Sequence, residues 1–90
     1  MPKYVIERDL PGAGQLSADE LHAIAGQSNT VLAGMNGRAQ WMHSYVTDDK
    51  IYCVYVAKDV DAVREHAQAG GFPCNTVSRA TTIIDPTTGE

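Results

Sequence analysis

The chain has little cysteine and no surplus of positive charge, and each shortage closes off a class of protein. Two cysteines, Cys53 and Cys74, in 90 residues are too few for the disulfide framework of a small secreted domain. Seven basic residues against eleven acidic ones give a net charge of −4. No lysine or arginine cluster breaks that balance, so neither nucleic acid nor an anionic membrane is an expected partner. No apolar run approaches the length of a membrane span, and MPKYVIERDL lacks the hydrophobic core of a secretory leader; the expectation is a cytoplasmic protein. Catalytic signatures are missing as well. There is no G-x-S-x-G, C-x-x-C or H-x-x-x-H, and the Pro11–Gly14 turn lacks the lysine and spacing of a phosphate loop.

What is present reads as one ordinary globular domain, 43 % hydrophobic and 20 % charged. Its expected extent is residues 1–85, followed by a polar tail at 86–90. Gln40–Ala57 (QWMHSYVTDDKIYCVYVA) is the organising stretch. Two runs rich in β-branched and aromatic residues flank the polar Thr47-Asp48-Asp49-Lys50, which is a β-hairpin signal. Pairing Val46 with Ile51 sorts the side chains by strict alternation. Trp41, His43, Tyr45, Tyr52, Val54 and Val56 share one face; Met42, Ser44, Val46, Ile51, Cys53, Tyr55 and Ala57 share the other. Both faces are apolar, so the sheet needs two covers.

The remaining elements follow from local chemistry. Lys3–Arg8 alternates weakly and forms a first strand, ended by Pro11-Gly12-Ala13-Gly14. Ser17-Ala18-Asp19-Glu20 is a capping box, with Leu16 and Leu21 as the hydrophobic staple. Leu21, Ile24, Ala25, Ser28, Val31, Leu32 and Met35 continue at helical spacing until Gly34, Asn36 and Gly37 supply stop signals. Asp59 caps a second helix, whose stripe of Val60, Val63, Ala67 and Gly70 is narrow and small. Asn75–Ile84 is the last expected strand. The order β-α-β-β-α-β predicts an α+β, ferredoxin-like sandwich: a four-stranded antiparallel sheet with two helices on one face. The bare face, with Trp41, His43, Tyr45, Val54 and Val56 assigned to it, predicts a homodimer. An odd-length hairpin loop would exchange the two sets.

Three histidines carry what chemistry there is. His22 lies beside the apolar stripe of the first helix, three residues after Asp19, so imidazole and carboxylate share a flank that suits a surface cation. His43 shares a face with Tyr45 and reads either as a histidine satisfied by a neighbour or as a ligand or proton carrier between subunits. His66 sits at the edge of the second helical stripe, where solvent and sheet are both within reach. Cys53, on a strand, reads as a buried inert thiol.

Several segments together, PKYVIER, PGAGQLSADEL, HSYVTDDKIYCVYVA, REHAQAGGFP and IIDPTT, resemble a family of small bacterial proteins described as nickel-responsive or nickel-binding. The likeness runs from Pro2 to Thr88. It implies a ferredoxin-like fold, a dimer, and a role in nickel sequestration or response, but it brings no ligand motif. The histidines are far apart in sequence, so any nickel site must be assembled by the fold, with His22, Asp19, His43 and His66 as candidate donors. The competing expectation is a dimeric small-ligand binder or enzyme with a pocket near His43; the third is a structural module without ligand.

Overall fold

Alternation in KYVIERD and KIYCVYVA becomes the centre of the sheet in the computed structural model, which describes all residues from Met1 to Glu90. The strands are β1 (Lys3–Asp9), β2 (Ala39–Val46), β3 (Lys50–Ala57) and β4 (Thr76–Ala80); the helices are α1 (Ala18–Ala33) and α2 (Val60–Gly70). The sheet order is β2-β3-β1-β4, and every neighbouring pair is antiparallel. Tyr4, Ile6 and Arg8 of β1 and Ile51, Cys53, Tyr55 and Ala57 of β3 are buried, and the residues between them are only half covered. Both helices lie on this buried side, because Ser28 of α1 and His66 of α2 meet each other and the Tyr55 hydroxyl. The expected α+β, ferredoxin-like architecture is therefore present. No helix is long and apolar enough to cross a membrane.

Local signals act as their chemistry requires. The Ser17 hydroxyl accepts from the Glu20 amide at 3.1 Å, and the Glu20 carboxylate accepts from the Ser17 amide at 3.0 Å. These bonds, that from the Ser17 backbone first, hold the Glu20 carboxyl below its ordinary range. Replacing Ser17 by Ala should lower stability by about 1 kcal/mol, the worth of a side-chain N-cap. Urea midpoints of the two proteins measure it, and no difference would mean that the cap does not secure the helix. At α2, the Asp59 carboxylate accepts from Ala62. Gly71, left-handed at φ 70°, closes the helix with the Gly71 amide on the Gln68 carbonyl and Phe72 on Ala67. Phe72 then folds back over the helix end, and a Cβ on Gly70 would collide with its ring.

Two expectations change. Pairing runs Val46↔Ile51, Tyr45↔Tyr52, Ser44↔Cys53 and His43↔Val54 as alternation dictates, but then Trp41 pairs with Tyr55 and Met42 has no partner. This β-bulge reverses the parity of the strand. Trp41 thus leaves the bare face and joins Ser44 on the helix side, where its indole N–H donates to the Ser44 hydroxyl at 2.9 Å. The last strand is also shorter than Asn75–Ile84. Ala80 pairs with Lys3, the first residue of β1, so Thr81 onward has no neighbouring strand. Ile83 and Ile84 are exposed. Beyond them Asp85 caps a short 3₁₀ turn, Pro86–Gly89, accepting from the Thr87 and Thr88 amides.

Candidate functional site

The three histidines end up in three different environments. His22 is exposed on α1, beside the equally exposed Asp19. His43 is exposed on β2, on the sheet face that no helix covers, with its ring 5.1 Å from Tyr45 in an edge-to-face contact. His66 is buried on the opposite side of the sheet, 1 % exposed. No group of three or more His, Cys, Asp or Glu side chains converges anywhere in the chain. One site built from Asp19, His22, His43 and His66 of a single chain is therefore not formed, since the sheet separates His43 from the helices and packing encloses His66.

His66 belongs instead to a buried polar cluster. Its Nε2 is 3.0 Å from the Ser28 hydroxyl and 3.5 Å from that of Tyr55, and Ser28 and Tyr55 are 3.4 Å apart. Nδ1 is the one buried side-chain polar atom with no partner. An orphaned acceptor is less costly than an orphaned N–H, which assigns the proton to Nε2. His66 then donates to Ser28. Burial, and after it the charge of Arg8, lowers the His66 pKa to about 4, so the ring is neutral at physiological pH. Burial likewise raises that of Tyr55, keeping its hydroxyl a donor.

Arg8 completes this region and is the residue most informative about it. The residue is 4 % exposed, with Nε 3.3 Å from the Cys53 sulfur and Nη1 donating to the Pro73 carbonyl at 2.6 Å. The guanidinium lies over the Phe72 ring, 5.6 Å from its centre. All of these partners are neutral. The ion pairs of the chain are Arg38–Glu65, Lys50–Glu7 and Lys50–Asp9, so Arg8 has no carboxylate. Period-two alternation alone would have placed Arg8 on the inward face with Tyr4 and Ile6; the basic type of the side chain obscured that signal.

Above this cluster, α1 stands off the sheet and leaves a half-open cavity of about 480 Å³. Leu21, Ile24, Trp41, Val46 and Ile51 contribute apolar walls; Arg8, Ser28 and Tyr55 gather polar groups at one end, and Gln27 and Ser44 also line the cavity. The cavity explains why Leu21, Ile24 and Ala25 of the α1 stripe are only half-buried. It does not adjoin His43, which faces the other way. A pocket near His43 is thus not formed by the single chain.

Comparison with known proteins bears on this arrangement. A family model described as nickel responsive protein SCO4226-like matches residues 4–79. The crystal structure of SCO4226 from Streptomyces coelicolor A3(2) superposes with a TM-score of 0.76 at 13 % identity, covering 91 % of this chain and 99 % of that one. At that identity the likeness speaks for the fold alone. No curated protein matches the sequence.

Proposed function

Because this chain belongs to the SCO4226-like family of nickel-responsive proteins, we propose that it binds nickel as a homodimer, with His43 on the open sheet face as the nitrogen donor. The observation that supports this reading is the placement of His43: an exposed imidazole on an apolar face that nothing in the chain covers. Val5, Tyr52, Val54 and Val56 are half-buried there, and Tyr45 is 61 % exposed. An apolar face of this kind is rarely left to solvent in a monomer. Two-fold pairing places the same surface on itself, so a second copy brings a second His43 to the interface. Nickel favours imidazole, with carboxylate or water completing its coordination, and one chain alone does not gather enough donors. His22 with Asp19, on the far side of the molecule, would make a separate and weaker surface site. His66 takes no part.

Tag-free protein should elute at dimer mass by size-exclusion chromatography with light scattering. Nickel titrated calorimetrically at neutral pH should bind, and binding should weaken on acidification because only the neutral imidazole ligates metal. His43→Ala should remain dimeric and lose the nickel heat; Val54→Lys should give a monomer and weaken nickel binding. A monomeric wild type, or nickel binding unchanged in His43→Ala, would defeat the reading.

A further inference from the structure

The cavity beneath α1 contains a feature that neither nickel nor dimerisation uses: a nearly fully buried arginine with no anion. Removing a guanidinium from water is expensive unless an opposite charge or a full set of hydrogen bonds replaces the lost solvation. Arg8 has two hydrogen bonds, to a thiol and to a carbonyl, and no carboxylate. Its neighbours point the same way. With the proton on His66 Nε2, His66 donates to Ser28, and the Ser28 hydroxyl is left to donate to Tyr55 or into the cavity. With that tautomer, the last hydroxyl proton of the relay has no hydrogen-bond acceptor among the contacts of Ser28, Tyr55 and His66. The polar end of the cavity therefore presents donors and positive charge, while the rest of its lining is mostly apolar, interrupted by Gln27, Ser44 and Cys53.

We propose that this cavity binds a small carboxylic acid with an apolar body, the carboxylate on Arg8 with the Ser28 and Tyr55 hydroxyls beside it, and the hydrocarbon against Leu21, Ile24 and Trp41. A planar guanidinium matches a carboxylate in two parallel hydrogen bonds. A volume of about 480 Å³ lies within the range of small-molecule sites, which combine mostly apolar walls with a few convergent polar groups. The occupant supplies what the fold omits, since it satisfies Arg8 and fills the space under α1. A neutral alcohol of equal length fills the space but leaves the charge unpaired. An aliphatic cation meets Arg8 with repulsion. Charge selectivity is thus the signature of the site, and it is independent of the nickel reading because the cavity and His43 are on opposite sides of the sheet.

Trp41, the sole tryptophan, lines the cavity and reports on its contents. Decanoate titrated into metal-free protein should change Trp41 emission saturably. Decanol should bind at least about tenfold more weakly, the scale of a charge-assisted hydrogen bond lost from a buried site, and decyltrimethylammonium more weakly still. Arg8→Met keeps an apolar side chain of similar length and should erase the preference of decanoate over decanol. Ala25→Phe places bulk in the cavity from the α1 side and keeps the Arg8 charge, and should weaken both ligands by about tenfold or more with the circular dichroism unchanged. Saturable, charge-selective binding lost in either folded variant supports the site. No response to decanoate, equal affinity for decanoate and decanol, or decanoate binding unchanged in Arg8→Met and Ala25→Phe overturns it.

Discussion

Acidification to pH 5 should weaken this fold chiefly through one residue, His66, whose share is about 2 kcal/mol by about pH 5 and about 3 kcal/mol by about pH 4. In the folded protein His66 stays neutral down to a pKa of about 4, whereas in the unfolded chain it titrates at the ordinary 6.5. Between those values the unfolded state binds more protons, so stability rises with pH across the window. It is complete above pH 6.5 and is lost progressively toward pH 4. Burial sets the direction, and Arg8 of β1 adds to it by opposing a second positive charge; Tyr55 of β3, Ser28 of α1 and the Phe72 ring, which also face the imidazole, are neutral. The lowered carboxyls of Glu20, Glu65 and Asp85 also lose their contributions in acid, but each does so below the ordinary 4.5 of a glutamate or 3.8 of an aspartate. Urea unfolding at pH 7 and pH 5 separates the two effects. His66→Gln, which cannot titrate, should flatten the dependence between these values. An equal loss in wild type and His66→Gln would show that the buried imidazole is not its source.

Replacing Ile6 by Ala should cost about 3 to 4 kcal/mol, the scale of a large aliphatic side chain deleted from a closed core. Ile6 is completely buried at the middle of β1, between Cys53 of β3 and Val77 of β4, and belongs to the cluster that includes Val63 and Ala57. A central strand cannot move to refill the space without breaking two ladders. Against the 5 to 15 kcal/mol typical of a domain this is a large share, and denaturant midpoints will show it directly. Ile24→Ala is the informative contrast. Ile24 borders the cavity and is half-buried, so its truncation should cost under about 2 kcal/mol because few packed neighbours are lost. A loss at Ile24 equal to that at Ile6 would mean that α1 is packed tightly onto the sheet in solution.

The two variants mark the line between what could be read from residue order and what could not. The capping box at Ser17–Glu20, the Asp59 cap, the stop around Gly71 and the hairpin register at Val46–Ile51 each depend on groups a few residues apart. Backbone geometry alone brings such groups together, so these features were legible in the chain. The element order that follows from them was enough for the α+β architecture and for leaving one sheet face uncovered by helices. Three other features were decided by contacts between distant segments. The bulge at Met42 turns Trp41 inward, where its indole joins Ser44 on the helix side of the sheet, and strict alternation has no means of anticipating an unpaired residue. The end of β4 is set by where β1 begins, since Ala80 has Lys3 to pair with and Thr81 has nothing. His66 was poised between solvent and sheet on its helix, and only the docking of α1, with Ser28 arriving at 3.0 Å, made it an interior residue. Arg8 lies between the two cases: its position on the inward face follows from the period of the strand, but its lack of an anion is a property of the whole assembly. Local sequence determines where helices and strands start, stop and pair, because those choices are made over one or two turns of backbone. Which polar side chains are taken out of water, and which are left without a partner there, is decided only when the layers close on one another.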